Sequence, residues 1–101
     1  MTHVTLATYE DIVMDDTKDV IVLFYVDWCP ACKEWKPDWI SYAKEFANSP
    51  ADFRQNGVIA MYNLSENEKP ADLEIPHFPT IYMFPKTKKK EPIFYEAGHW
   101  N

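Results

Sequence analysis

Glycine is nearly missing from this sequence. Only Gly57 and Gly98 occur in 101 residues, so neither a phosphate-cradling P-loop nor a glycine-rich dinucleotide turn can be assembled, which excludes nucleotide chemistry of those kinds. Basic residues are outnumbered. Ten Lys+Arg against sixteen Asp+Glu leave a formal net charge of −6, the wrong sign for a surface that neutralises phosphates, and nucleic acid is not expected as a partner. Long apolar runs are absent as well. The longest, Val20 to Val26, falls far short of the roughly 20 residues that span a bilayer, and the N-terminus lacks a signal-peptide layout. A soluble segment with no membrane span is expected. Cysteine is limited to two residues, too few within one chain for a disulfide-dense scaffold or a four-thiolate zinc site. One disulfide or one thiol pair is still open, formed by Cys29 and Cys32.

Apolar residues, by contrast, are plentiful: 47% of the chain is hydrophobic and 16% aromatic, enough for one compact domain over residues 1–101 with its own core. No internal repeat, low-complexity tract or linker divides it. Val20 to Val26 is β-branched and aromatic without polar alternation, the pattern of a central strand buried on both faces. Beyond Cys32, residues Trp35, Trp39, Tyr42, Ala43, Phe46 and Ala47 recur at helical steps among Lys33, Glu34, Lys36, Lys44 and Glu45, predicting an amphipathic helix that Pro37 kinks. Val58 to Tyr62 reads as a second buried strand, reached through the turn chemistry of Asn48-Ser-Pro50 and Gln55-Asn-Gly57. Strand, helix, strand implies a parallel crossover.

Further along, Pro70 to Leu73 is expected as a short helical turn. Thr80 to Phe84 and Pro92 to Tyr95 read as an antiparallel hairpin around the polar loop Lys86 to Glu91, whose Lys86, Lys88, Lys89 and Lys90 are expected in solvent. Before Val20, an edge strand at Val4 to Leu6 and a short helix at Tyr9 to Met14, N-capped by Thr8, complete the pattern. The class is α/β, a central mixed sheet flanked by helices. Nothing of helical period follows the hairpin before Asn101, so a closing C-terminal helix is not expected in these residues.

Chemistry concentrates in Trp28-Cys-Pro-Ala-Cys-Lys33. A Cys-x-x-Cys pair where a buried strand meets a helix sets two sulfurs one helical turn apart, within bonding reach. Cys29 falls at the N-cap with Pro30 at the first helical position, where a missing N–H costs nothing. Unpaired backbone N–H groups and the helix dipole favour the Cys29 thiolate. Cys29 is therefore the expected attacking thiol, and Cys32, one turn inside, the resolving thiol. A structural disulfide or two inert core thiols is the plainer alternative. Zinc would need two further ligands from His3, His77, His99 or a second subunit, and no metal is expected.

With Phe24-Tyr-Val-Asp-Trp-Cys-Pro-Ala-Cys-Lys33, Pro37, Phe78-Pro-Thr80 and Tyr95-Glu-Ala-Gly98 in place, the sequence resembles the thioredoxin superfamily, and within it a catalytic domain of the protein disulfide isomerase family. The resemblance implies a thioredoxin-like fold over essentially the whole chain. It implies a cis peptide bond before Pro79, with that proline facing the sulfurs, and a backbone at Phe78 that pairs with an extended substrate strand. Trp28 is expected either to pack or to floor the substrate surface. The implied activity is thiol-disulfide exchange on unfolded or cysteine-containing proteins, by oxidation or isomerisation, with glutathione or another thiol-disulfide partner. No cofactor beyond the redox-active Cys29–Cys32 disulfide is implied. Residence in the endoplasmic reticulum lumen or another secretory compartment follows from the same resemblance, with the cytoplasm as the alternative.

Three departures from that family stand out. Leu23 occupies the central-strand position where the family usually carries a buried acid that accepts the resolving cysteine's proton, and Met61 that of its lysine partner. The joint change is physically coherent, since a well-packed apolar pair rivals a buried ion pair, whereas removal of one partner alone is costly. His99 stands at the place of an arginine that assists proton transfer, and it is expected either as a plain surface histidine or as a group that takes up a proton nearer neutrality. The Pro-Ala dipeptide places no histidine inside the motif. Asp27 opposes the thiolate and Lys33 favours it, both weakly when solvated. Two rival functions follow: a thioredoxin-like reductant, and a weakly catalytic substrate-binding or chaperone module. Asn63-Leu-Ser65 also matches a glycosylation acceptor.

Overall fold

The computed structural model describes residues 2–48, 56–71 and 73–95, Tyr95 by its backbone alone. Five strands form one mixed sheet: β1 (Thr2–Val4), β2 (Asp19–Tyr25), β3 (Gly57–Asn63), β4 (Thr80–Phe84) and β5 (Ile93–Tyr95), in the spatial order β1-β3-β2-β4-β5. β3 runs parallel to both β1 and β2, while β4 is antiparallel to β2 and β5 to β4. The long helix α2 (Pro30–Ala47) is the β2-to-β3 crossover, and α1 (Tyr9–Ile12) precedes β2. The expected central strand, parallel crossover and hairpin are all present.

Because strand side chains alternate, β2 feeds two cores at once. Val20, Val22 and Phe24 join Ala60, Tyr62, Tyr82 and Phe84 in one buried layer, against which Tyr9 and Ile12 of α1 pack. Leu23 and Tyr25 face the other way, into a layer with Met61, Ile81, Trp39 and both cysteines. Burial on both faces explains why the run lacks polar alternation. The helix is fixed to the sheet by more than apolar contact: the Trp39 indole Nε1 donates to the Ala60 carbonyl at 3.0 Å.

Several boundaries differ from the sequence expectation. The edge strand is Thr2–Val4 rather than Val4–Leu6, because Thr5 and Thr8 fold the chain back. Thr8 N–H donates to the Thr5 carbonyl at 3.1 Å, and Thr5 N–H to Thr8 Oγ1 at 2.9 Å. That use of its hydroxyl also means that Thr8, though at the N-cap, gives α1 no side-chain cap. α1 stops at Ile12 instead of Met14, ahead of the turn in which Asp15 Oδ1 accepts both the N–H and the hydroxyl of Thr17. Such local side-chain bonding competes with helix. At Pro70–Leu73 there is one turn closed by Leu73 N–H on the Pro70 carbonyl.

α2 continues through Pro37, which lies on its exposed side. Tyr42 and Ala47 are exposed rather than core. At about 100° per residue Tyr42 sits roughly 60° and Ala47 roughly 80° round from Trp39, at the margins of the buried stripe. The basic hairpin loop is not uniformly solvated either. Lys89 is buried, and its Nζ donates to the carbonyls of Lys18 at 2.6 Å and Phe84 at 3.1 Å. Desolvation lowers its pKa, partly offset by the charges of Asp15, Asp19 and Asp16.

Candidate redox site

At the C-terminal end of β2 the chain turns through Val26–Trp28 into α2. Cys29 is the N-cap, in extended conformation (φ −85°, ψ 119°), and Pro30 opens the helix. The Cys29 carbonyl accepts the Lys33 N–H at 3.2 Å, the first bond of the helix. Both cysteines are free thiols and both are buried: Cys29 is 8% exposed and Cys32 fully enclosed. The Cys29 sulfur belongs to the N-cap residue at the start of α2, and it makes no cap hydrogen bond to the helix N–H groups. Cys32 lies one turn deeper.

Burial pushes the Cys32 thiol up to about 11, reinforced by its contact with Cys29 and countered by the Val26 backbone and by Lys36. Leu23 and Met61 are paired across β2 and β3 in the same apolar layer, both fully or almost fully buried. Neither Leu23 nor Met61 offers Cys32 a carboxylate, and none is among the groups that shift it.

A second segment meets the first from across the sheet. The Phe78–Pro79 peptide bond is cis, as the resemblance implied, and the Cys29 Sγ donates to the Phe78 carbonyl at 3.6 Å, 49 residues away in sequence. Pro79 is buried and Phe78 half-buried. Trp28 is 71% exposed and meets Phe78 edge to face at 6.0 Å between ring centroids. Trp28 is thus exposed beside Cys29 rather than packed in the core. A cleft of about 530 Å³ runs from Phe78 and Ile75 along residues 64–69. Cys29, Cys32, Pro30, Trp28 and Phe78 are thus drawn to one end of the sheet, whereas His99 lies outside the described residues.

Two features went unread in the sequence. Asn63 and Ser65 are engaged internally: Asn63 Nδ2 donates to the Asp27 carboxylate at 3.2 and 3.4 Å, its Oδ1 accepts the Ser65 N–H at 2.9 Å, and Ser65 Oγ accepts the Asp27 N–H at 2.8 Å. An Asn two residues ahead of a Ser at a strand end is the signal of an Asx turn, and it could have competed with the glycosylation reading. The other feature is Lys36, half-buried with its Nζ 4.7 Å from the Tyr25 ring centroid. Among the described residues no group of three or more His, Cys, Asp or Glu is placed to hold a metal ion, and no helix is long and apolar enough to cross a membrane.

The profile of the thioredoxin family matches residues 1–98. The chain belongs to the thioredoxin family. Among proteins of this family it is similar to protein disulfide-isomerase A4 of Homo sapiens, 40% identical over 93 residues, covering 90% of this chain and 14% of that protein. It is also similar to the probable protein disulfide-isomerase ER-60 of Schistosoma mansoni, 37% identical over 90 residues, covering 89% of this chain and 18% of that protein. The chain spans under a fifth of either relative's length. In three dimensions it resembles the first thioredoxin domain of mouse protein disulfide-isomerase A4, with a TM-score of 0.73 and 18% identity over 96% of this chain and 64% of that one, which establishes the thioredoxin-like fold.

Proposed function

We propose that residues 1–101 form one thioredoxin-like domain that exchanges thiols and disulfides with protein substrates, by disulfide formation or isomerisation. The observation that carries this reading is the Cys29 sulfur at a helix N-cap, 3.6 Å from the Phe78 carbonyl and bordered by an exposed indole. Relatives named as protein disulfide-isomerases support it.

In this reading the Cys29 thiolate attacks one sulfur of a substrate disulfide. A bond forms between Cys29 Sγ and that sulfur, the substrate S–S bond breaks, and the departing sulfur leaves as a thiolate that takes up a proton. Cys32 then gives up its proton and attacks Cys29 Sγ. The Cys29–Cys32 disulfide closes, the second substrate sulfur is released as a thiolate that takes up the proton, and two electrons have passed from the cysteine pair to the substrate. Run backwards, the same steps oxidise a dithiol substrate; attack by a substrate thiol on the mixed disulfide instead isomerises it with no net electron transfer. The chemistry uses the two cysteines alone, with glutathione or another small thiol-disulfide pair to reset them.

The backbone at Phe78 and the surface of Trp28 are where an extended, cysteine-containing segment would lie. Such exchange suits an oxidising compartment, the endoplasmic reticulum lumen or another secretory space. A second reading, a binding module with weakened catalysis, is favoured by one feature: Cys32 sits in an apolar layer with Leu23 and Met61 and holds its proton tightly.

The deciding experiment is the reduction potential of the Cys29–Cys32 couple across glutathione buffers, read by acid quench, alkylation and intact mass. A transition at about −120 to −230 mV supports an oxidase or isomerase, and one near about −270 mV a reductant. A pair that never forms a disulfide, or resists reduction below about −300 mV, overturns exchange in favour of the binding module.

A further inference from the structure

The segment Val26–Trp28 carries Cys29 but belongs to neither β2 nor α2. Within it, the Cys29 N–H reaches the Val26 carbonyl only at 3.5 Å, a long bond for a backbone pair. What secures the segment comes from elsewhere in the chain, from the loop that follows β3. Leu64 N–H donates to the Tyr25 carbonyl at 2.8 Å, which fixes the last residue of β2. One residue on, Ser65 Oγ accepts the Asp27 N–H at 2.8 Å. Asn63 Nδ2 holds the Asp27 carboxylate, and Asn63 Oδ1 accepts the Ser65 N–H and so sets where the hydroxyl stands.

We infer that Asn63 and Ser65 are positioning residues for Cys29: through Asp27 they clamp the turn that presents the thiol to the helix N-terminus. The inference rests on the reading of Cys29 as the attacking thiol and deepens it. The advantage of a helix N-terminus is confined to its first turn, so a sulfur whose preceding residues are loose spends less time where the N–H groups reach it. An oriented hydroxyl and amide remove that freedom before any substrate arrives, as supporting shells do for reactive groups in general. Ser65 also lines the cleft beside Phe78, so the wall of the cleft and the redox turn are tied together by side-chain bonds. A chain lying along that wall touches the residue that holds the Asp27 N–H.

Ser65 is exposed and Asn63 only half-buried, so both can be changed without opening a core. The test is the alkylation rate of Cys29 by iodoacetamide in the otherwise unchanged, reduced chain, followed by peptide mass, with circular dichroism to confirm that each variant is folded. Ser65→Ala and Asn63→Ala are expected to slow alkylation by roughly five- to tenfold, the scale on which one lost positioning hydrogen bond acts. Ser65→Thr, which keeps the accepting hydroxyl, is expected to restore a rate within about twofold of the parent, as the single hydrogen bond is regained. A parental rate in both alanine variants, or a Ser65→Thr variant as slow as Ser65→Ala, overturns the clamp. Should the parent Cys29 itself react no faster than a cysteine in an unstructured peptide, the attacking-thiol reading fails and the clamp with it, an outcome distinct from the first two.

Discussion

Leu23 and Met61 face each other across β2 and β3, sealed from solvent in the layer that encloses Cys32. Desolvation there pushes the Cys32 thiol up to about 11. At neutral pH the resolving sulfur is therefore protonated almost throughout, and neither Leu23 nor Met61 can take the proton.

Release of a mixed disulfide by Cys32 is consequently expected to be slow and to accelerate about tenfold per pH unit between roughly pH 6 and 9, tracking the thiolate fraction. The joint variant Leu23→Glu with Met61→Lys introduces a proton acceptor together with a partner for its charge. It is expected to resolve a trapped mixed disulfide about tenfold faster at pH 7, a gain on the scale of general-base assistance. Stopped-flow release of a labelled peptide thiol checks both statements, and an unchanged rate in the joint variant would show that proton removal from Cys32 is not the slow step.

Substitution at Lys89 distinguishes it from its neighbours in the hairpin loop. Lys89→Met keeps the aliphatic stem but leaves the Lys18 and Phe84 carbonyls without their donor, at an expected cost of about 1–3 kcal/mol in urea unfolding. Lys90→Met, on an exposed side chain, is expected to change stability by less than about 0.5 kcal/mol. Equal effects at the two positions would return Lys89 to the solvated loop.

Alkaline pH provides another check. Burial raises the pKa of Tyr25, Tyr62 and Tyr82 above 10.0, with nearby carboxylates adding to the effect. As pH climbs past 10.0 the unfolded chain loses these protons first, so the unfolding free energy falls from there up to the folded values. Lys89, with its pKa lowered from 10.5, acts in the opposite sense, gaining stability as pH rises toward that value, but it is one group against four, since Cys32, raised from 9.0 to about 11, acts with the tyrosines. Tyr82→Phe removes both the ionisation and the bond from its hydroxyl to the Glu74 carbonyl at 2.6 Å. It is expected to be about 1 kcal/mol less stable at pH 7 and to close on the parent above about pH 10. Denaturant melts from pH 7 to 11 measure the gap.

Trp28 contributes surface rather than core. Trp28→Ala is expected to leave stability within about 0.5 kcal/mol while lowering kcat/KM for a disulfide-bonded peptide about tenfold through KM, as loss of apolar binding does. A fall confined to kcat would place the indole in the exchange step instead.

The sequence was most readable where one physical cause acted alone. Val20–Val26 announced a doubly buried strand because every position is apolar, and Cys29-Pro30 announced a helix start because the cap and the proline suit the same site. Boundaries were lost where side chains bond locally: Thr5 with Thr8, and Asp15 with Thr17, cut β1 and α1 short. Lys89 was misread since four nearby lysines share one composition, and only the packing of β4 against the segment before β2 singles out one amine. The Asn63–Asp27–Ser65 network was hidden for a related reason, joining residues up to 38 positions apart. The cis bond at Phe78-Pro79 came from family resemblance, since nothing local in that dipeptide states what it will face.

The contact between the Cys29 sulfur and the Phe78 carbonyl joins the segments that follow β2 and precede β4, two neighbouring strands whose last shared pair on that side is Phe24 with Thr80. The thiol centre thus has no foldon of its own. The rungs that bring its two halves together lie between β2 and β4, at the middle of the sheet rather than at a fraying edge. Full unfolding of the central strands therefore also takes the thiol centre apart.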